Sequence, residues 1–192
     1  MGRALDVVAI GEVLWDIIGA EKHLGGAPFN FAVHCHHLGA RSGIVSRVGR
    51  DELGAEILAQ ARELGVDTSL IQRDTEHPTG QVHVTLGAGG QPAFDICTGV
   101  AYDYLAADPV AVERVRGADV VCFGTLAQRH SVARQSVVTL LEAASFDPSA
   151  PLRAGNLRAG SFDPSAPLRA GKAQRKARGT ARALLDCDLN LR

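Results

Sequence analysis

The sequence predicts an α/β fold in which helices cover both faces of a sheet. Short apolar runs rich in β-branched residues alternate along the chain with longer stretches of helical periodicity. Glycine follows most of these stretches, as is typical where a chain leaves a helix or a strand. Of the 192 residues, 46% are apolar and 21% are charged, which is enough to fill the core of one domain. This alternation favours a largely parallel sheet over a bundle or a sandwich.

The predicted elements follow one another through the first 144 residues. Asp6–Ile10 is a short β-branched run that stops at Gly11, as expected of a buried strand. Pro28 suits the first turn, and Gly39 the C-terminal cap, of a helix over 27–38. The later elements are a strand at 42–48, a helix at 51–64, a strand at 68–73, a hairpin of 81–86 and 92–98, a helix at 110–116, a strand at 120–124 and a helix at 131–144. A last strand is expected at 183–191.

Charge and composition change near residue 144. The net charge of −1 and the pI of about 6.6 argue against nucleic-acid binding as the main activity. Residues 1–144 hold 11 basic and 17 acidic side chains, whereas residues 145–192 hold nine basic and four acidic ones. The sequence of 145–155 recurs letter for letter at 161–171, with two prolines in each copy. We therefore expect a duplicated, basic surface insertion over 145–180, with 181–192 returning to the core. The alternative is that the insertion contacts a nucleic acid or an anionic surface.

The compartment is predicted from the cysteines and from the apolar runs. None of the four cysteines forms a CxxC pair, so we expect reduced thiols in a cytoplasmic protein: Cys35, Cys97, Cys122 and Cys187. Apolar runs are too short for a membrane span or for the core of a signal peptide. We expect neither a membrane nor a nucleic acid among the partners.

An early aspartate and a pair of glycines form the most informative cluster. Asp16 follows the first strand, at the edge where open α/β sheets bind ligands. Gly25 and Gly26 precede the first helix and allow a ligand to approach the backbone closely. Asn30 offers a donor and an acceptor, and the carboxylate of Asp16 accepts from two hydroxyls at once. The cluster suits a polyol better than a phosphate; an ordinary turn before a helix is the alternative.

Other chemistry-bearing residues have simpler explanations. The run His34-Cys35-His36-His37 invites a metal site, but no second ligand cluster has the right spacing, so we predict a polar helix face and no metal. Ser131 suits a helix cap better than a nucleophile. Trp15 is suited either to stack on a sugar or to fill the base of a small domain, and the sequence leaves both open.

Several short motifs occur in a fixed order along residues 5–144. They are AIGE at 9–12, LGGAPFNFAV at 24–33, LGA at 38–40, VSRVGRDELG at 45–54, PTG at 78–80 and GTLA at 124–127, with DLNLR at 188–192. In these motifs the chain resembles the ribokinase-like (PfkB) family of carbohydrate kinases, and within it the bacterial fructokinases. The resemblance implies a three-layer α/β/α sandwich with a small β lid, built from residues near 14–24 and 81–98.

The resemblance also assigns roles to individual residues. Asp16, Gly26 and Asn30, with Gly25 beside them, match positions that hold sugar hydroxyls. Phe94, Ile96 and Tyr102 match lid side chains that close over the sugar. Arg129 matches an arginine that reaches the sugar. Asn190 and Arg192 match a segment that faces the ATP phosphates. The family implies ATP and Mg²⁺ as cofactors, a sugar such as fructose as substrate, and a homodimer formed through the lids.

One departure from the family bears directly on activity. The catalytic base and the anion hole of such kinases lie in a Gly-Ala-Gly-Asp segment, which this sequence does not contain. The segment at 87–90, Gly-Ala-Gly-Gly, lacks the aspartate and lies in the predicted hairpin turn. We therefore expect the chain to carry the sugar-binding half of a truncated kinase, and to be inactive by itself. The alternative is a remnant that binds sugar weakly or pairs with a partner protein.

Overall fold

The computed structural model describes residues 3–86, 91–144 and 183–186. In these ranges the chain forms nine strands and four α-helices: β1 Asp6–Ile10, β2 Leu14–Ile18, β3 Glu21–Gly25, α1 Ala27–His37, β4 Arg41–Gly49, α2 Glu52–Glu63, β5 Ile71–Asp74, β6 Gln81–Leu86, β7 Pro92–Ile96, α3 Pro109–Arg116, β8 Val120–Phe123, α4 Ser131–Ala143 and β9 Ala183–Asp186. Two short 3-10 helices cover Ala101–Tyr104 and Leu126–Arg129. The predicted insertion at 145–180 and the residues Asn190 and Arg192 lie outside the described residues.

The larger sheet is parallel and has the strand order β5-β4-β1-β8-β9. Its central strand, β1, has no exposed residue, because both of its faces are covered. At its carboxyl end, Ile10 is paired with Val45 of β4 and Phe123 of β8. All five strands therefore end at the same edge of the sheet, and that edge carries the candidate site.

Two apolar cores lie on opposite faces of this sheet. Ala9 and Ile44 pack with side chains of α1 and α2, among them Phe29 and Ile57. Val8 and Ile10, which point to the other face of β1, pack with α3 and α4 through Val115, Val137 and Leu140. The predicted three-layer α/β/α architecture is confirmed.

The smaller sheet has the strand order β3-β2-β6-β7 and forms the lid. β2 pairs with β3 antiparallel and with β6 parallel, and β6 and β7 form the predicted hairpin. Because partners in a ladder point to the same face, one face of the lid carries Asp16, Ile18, Val82, Val84, Phe94 and Ile96. The other face carries Trp15, which belongs to the core beneath α1.

Local contacts move some boundaries away from the predicted ones. The strand expected at 68–73 begins only at Ile71, because Asp67 accepts a hydrogen bond from the Ser69 amide and Ile71 donates to Thr68 in a turn. Cys35 and Cys97 are free thiols as expected, but Cys122 is disulfide-bonded, so the prediction of reduced thiols is wrong for this residue. Among the described helices, none has the length and apolarity to cross a membrane.

Candidate functional site

The N-terminus of α1 packs directly against the ends of β1 and β8. A side chain at Gly11 or at Gly124 would place its Cβ 2.7 Å from Cγ of Pro28, so both positions must stay bare for the helix to approach. The Gly124 amide donates to the carbonyl of Ile10 at 2.9 Å, which joins the two strand ends. The first turn of α1 therefore stands at the carboxyl edge of the sheet.

Glu12 fixes the turn that leads into α1. It is buried, and its Oε1 accepts from the Ala27 amide at 3.2 Å. Gly26, the N-cap, has φ +112°, and a Cβ there would lie 2.4 Å from the Glu12 carbonyl oxygen. Sequence reasoning did not select Glu12; its position directly after a strand and a glycine is the signal that was available.

Asp16 lies on β2 against the bare backbone of Gly25. Its ladder partners are His23 on β3 and Val82 on β6. A Cβ at Gly25 would stand 2.2 Å from Oδ2 of Asp16, so glycine alone leaves room for the carboxylate. Burial raises the pKa of Asp16, and the charge of His23 lowers it by less. The structure thus brings Asp16 and Gly25 together as the sequence predicts.

The carboxylate of Asp16 differs from the other aspartates of the described chain. Asp51 and Asp108 cap α2 and α3 by accepting from Gly54 and Ala111, both at 2.8 Å. Asp74 and Asp103 accept several hydrogen bonds each. Among the described aspartates that are buried or partly buried, only Asp16 accepts no hydrogen bond. A partly buried carboxylate without donors is typical of a ligand site, because the ligand can supply them.

Asn30 lies in the first turn of α1, and its side chain is exposed. Its backbone amide donates to the Gly26 carbonyl at 2.9 Å, which holds the residue at the start of the helix. Within the described part of the chain, its side-chain amide forms no hydrogen bond. The group is therefore available to a ligand at the sheet edge.

Phe94 and Ile96 lie on the same lid face as Asp16. Val84 pairs with Phe94, and Val82 pairs with Ile96, across the β6–β7 ladder. Phe94 is 54% exposed and Ile96 is 37% exposed, while Val82 is buried beneath the lid. Two apolar side chains therefore stand uncovered on the face that carries the carboxylate.

Tyr102 is buried against the lid face that carries Asp16, because it packs with Val82, the ladder partner of Asp16. Its ring packs with Leu14, Val82 and Ala127, and a Cβ at Gly80 would meet the ring at 2.5 Å. Its hydroxyl is buried without a hydrogen-bond partner among the described residues. Burial raises the pKa of Tyr102, with the nearby Arg129 opposing the shift. A contact of Tyr102 with the sugar stays a prediction.

Arg129 is held by the chain itself. Its Nε and one terminal nitrogen donate to the two carboxylate oxygens of Asp103 at 2.8 and 2.9 Å. The same terminal nitrogen donates to the carbonyl of Cys97, and the guanidinium lies 5.1 Å from the centre of the Tyr102 ring. A direct contact of Arg129 with substrate stays a prediction, since its guanidinium is already engaged here.

The structure also places the residues whose role the sequence left open. Trp15 is buried, its Nε1 donates to the Leu53 carbonyl at 3.1 Å, and it faces the core, so it fills the base of the lid. His34, His36 and His37 lie on α1, and all three are exposed. Over residues 3–86 and 91–144, no three His, Cys, Asp or Glu side chains are grouped to hold a metal ion.

A groove at the opposite, amino edge of the sheet carries several charged side chains. It runs between α3 and the starts of β1 and β4. Arg41 and Arg114 both pair with Asp6 there, at 3.1 and 2.6 Å, and Asp67 and Glu113 also line the groove, so acidic and basic side chains are mixed in it. We assign no ligand to it.

Comparison with known proteins gives one consistent family. The profile described as pfkB family carbohydrate kinase matches residues 5–154. A putative sugar kinase of Pyrococcus horikoshii is 32% identical over 147 residues, which cover 71% of this chain and 47% of that protein. Fructokinase-1 of Zea mays is 32% identical over 168 residues, which cover 77% of this chain and 52% of the maize protein.

Solved structures agree with this fold. The crystal structure of the P. horikoshii sugar kinase superimposes with a TM-score of 0.67 at 31% identity, covering 73% of this chain and 50% of that one. The fructokinase of Halothermothrix orenii gives a TM-score of 0.65 at 28% identity, covering 73% of this chain and 53% of that one. The chain spans about half the length of the relatives it matches.

Proposed function

The chain belongs to the pfkB family of carbohydrate kinases, and from this premise we propose that it forms the sugar-binding half of a fructokinase-like enzyme. In the proposed reaction the γ-phosphate of ATP passes to a hydroxyl of a sugar such as fructose. The observation that carries the proposal is the Asp16 carboxylate, which is partly buried and accepts no hydrogen bond from the described residues.

Each residue of the site has a distinct role in this proposal. The two oxygens of Asp16 accept from neighbouring hydroxyls, in charge-assisted hydrogen bonds that are stronger than neutral ones. Asn30 donates to or accepts from a further hydroxyl, and the bare backbone of Gly25 and Gly26 leaves room for the sugar ring. Phe94 and Ile96 cover the ring from the lid, which excludes water from the polar contacts.

The supporting groups lie one layer below. Glu12 holds the turn at Gly26, and Tyr102 fills the base of the lid under Gly80. Arg129 binds the Asp103 carboxylate and the Cys97 carbonyl at the end of the lid. Their proposed contribution is to keep the carboxylate, the first turn of α1 and the lid face in one arrangement.

ATP and Mg²⁺ are proposed for the whole kinase on the family resemblance. A structure of the P. horikoshii sugar kinase in complex with ATP shows that this relative binds the nucleotide. In our chain the residues proposed to face the phosphates are Asn190 and Arg192, outside the described ranges. The chemistry that we derive for the described residues is sugar binding and orientation.

We further propose that two copies associate through their lids. Ile18, which has no role in the proposed sugar contacts, is 43% exposed at the end of β2, which leaves apolar surface for a partner lid to cover. Light scattering of the chain and of an Ile18→Ser variant tests this. A monomeric mass for the unaltered chain at micromolar concentration contradicts it.

Isothermal titration of the full 192-residue chain with fructose, and with ribose, glucose and mannose for comparison, tests the proposed function. Asp16→Ala is expected to weaken sugar binding at least about tenfold, because a hydrogen bond to a charged group contributes roughly 1.5–3 kcal/mol. The matched control is Asp95→Ala, which removes an exposed carboxylate from the opposite face of the same lid and should leave binding unchanged.

The outcomes test the site and the alternative function. Equal affinity in Asp16→Ala and in the unaltered chain contradicts the proposed site, and saturable, Asp16-dependent binding supports it. Phosphorylation of the bound sugar on addition of ATP and Mg²⁺ would contradict the alternative of a catalytically inactive remnant that binds sugar.

A further inference from the structure

We propose that Asp103 and Arg129 clamp the hinge of the lid and thereby position it over the sugar site. Neither residue is expected to touch the sugar in this role; both are positioning residues. The effect on sugar affinity rests on the proposed function, whereas the effect on the lid itself does not.

Asp103 holds the segment by which the chain leaves the lid. After β7, the Cys97 amide donates to the Gln81 carbonyl at 3.1 Å, which closes the hairpin. The amides of Gly99 and Val100 both donate to Oδ2 of Asp103, at 3.0 and 3.3 Å. The segment that follows β7 is therefore held by the Asp103 carboxylate.

Arg129 ties this segment to the main sheet. It follows β8, 26 residues from Asp103 and 32 from Cys97 along the chain. Its two parallel bonds to the Asp103 carboxylate and its bond to the Cys97 carbonyl join the carboxyl edge of the sheet to the end of the lid. The Asp103 side chain is 2% exposed and that of Arg129 is 24% exposed, so solvent weakens this pair little.

The same group also reaches the place where the lid begins. The Arg129 guanidinium lies over the Tyr102 ring, and that ring packs against Gly80, the residue before β6. The Gly80 carbonyl accepts from the Trp15 amide at 3.0 Å, so the contact continues into β2. The Ala101 amide donates to the Pro78 carbonyl at 2.8 Å and links the two hinge segments directly.

These contacts predict that losing the clamp loosens the lid and leaves the main sheet intact. The lid face carries Asp16, Phe94 and Ile96, so its angle sets how closely they approach a sugar at Gly25 and Gly26. The Arg129→Lys substitution keeps the charge but cannot make the two parallel bonds and the third bond together. The Asp103→Asn substitution keeps an acceptor but loses the charge that Arg129 faces.

Hydrogen exchange measured by mass spectrometry on the full chain tests the clamp. The variants are Arg129→Lys and Asp103→Asn, and the control is Val137→Ala, which leaves a cavity in the α3–α4 core away from the lid. Both clamp variants are expected to raise exchange at least about tenfold in lid peptides covering β6 and β7, with peptides from β4 unchanged. The control is expected to raise exchange in the α4 core without this preference for the lid.

Titration with the sugar gives a second measurement, because a loss of stability away from the lid should not change the Kd for the sugar. Kd for the sugar is expected to rise about tenfold in Arg129→Lys and to stay at the unaltered value in Val137→Ala. Unchanged lid exchange in Arg129→Lys, or lid and β4 exchange rising in parallel as after a global loss of stability, overturns the clamp. Should Asp103→Asn not fold, Arg129→Lys alone decides the matter.

The two proposals fail in different ways. If the unaltered chain binds no sugar, the proposed function fails and the exchange comparison still decides whether the clamp exists. If the sugar binds through Asp16 but lid exchange does not change in the variants, the clamp fails and the proposed function stands.

Discussion

Replacing Asp74 by asparagine is expected to remove about 2 kcal/mol from the free energy of unfolding at neutral pH. Asp74 ends β5, and its side chain has no exposed surface. Its carboxylate accepts from the amides of Glu76 and His77 at 2.7 and 3.0 Å, and it pairs with the His77 ring at 3.1 Å and with Arg47 at 2.6 Å. The variant keeps the shape of the side chain and removes the charge to which these donors point.

The magnitude follows from the pKa of this carboxyl group. Burial raises its pKa, but the hydrogen bonds from Glu76, His77 and Arg47 outweigh burial and lower the pKa from 3.8 to about 2. Each pKa unit corresponds to about 1.36 kcal/mol, so this lowering contributes about 2 kcal/mol to stability. Because the pKa is lower in the folded state, the contribution is complete above pH 3.8 and is lost as the pH falls through about 2.

Urea unfolding of the full chain at a series of pH values measures this contribution. The gap between the unaltered chain and Asp74→Asn should be about 2 kcal/mol at pH 7 and should narrow steadily below about pH 4, closing near pH 2. Asp95→Asn, which removes an exposed carboxylate, serves as the matched control and should leave stability nearly unchanged. A gap at pH 7 below roughly 0.5 kcal/mol, or one that persists at about pH 2, refutes the reasoning.

Two further predictions concern the site itself. Asp16→Asn should raise Tm at pH 7 but not below pH 3.8. Burial raises the pKa of Asp16, so ionisation of this carboxyl destabilises the folded chain at neutral pH. Scanning calorimetry at both pH values measures the difference, and a lower Tm of the variant at pH 7 contradicts it. Gly26→Ala should cost about 1–3 kcal/mol or more in urea unfolding, since a Cβ would lie 2.4 Å from the Glu12 carbonyl oxygen at φ +112°. Gly19→Ala, with φ +61° and nothing within 4 Å, is its control, and equal losses in the two variants would show that the close approach does not matter.

Local signals made half of the site predictable from sequence. A strand followed by an aspartate, and two glycines followed by a helix, are patterns within single elements, and they led to Asp16, Gly25 and Gly26. The residue pattern alone predicted neither β2 nor β3, which only the family resemblance placed in the lid, because Glu21, Lys22 and His23 are exposed and carry no apolar alternation. A strand at the edge of a small lid buries few apolar side chains, so its sequence carries little of the alternation that predicts a strand.

The supporting groups were hidden for a different reason. Arg129 and Asp103 are distant along the chain, and nothing in either local sequence indicates that they pair. The burial of Tyr102 depends on Gly80, whose bare backbone admits the ring. Residues whose role depends on contacts between separate elements are visible only once the topology has brought those elements together.

Asp16 and Asp74 show opposite uses of the same chemical group, and the contrast bears on function. The pKa of Asp74 is lowered because several donors surround it, so its charge stabilises the fold. The pKa of Asp16 is raised because burial removes water and no described group donates to it, so its charge destabilises the fold. A polyol would supply the missing donors, and binding should then lower the pKa of Asp16 and release protons from the site at pH values near its unbound pKa. A sugar site requires a carboxylate that lowers the stability of the unliganded fold and gains hydrogen bonds from hydroxyl groups on binding. Proton release on sugar binding would show that the ligand supplies the hydrogen bonds that Asp16 lacks in the free chain.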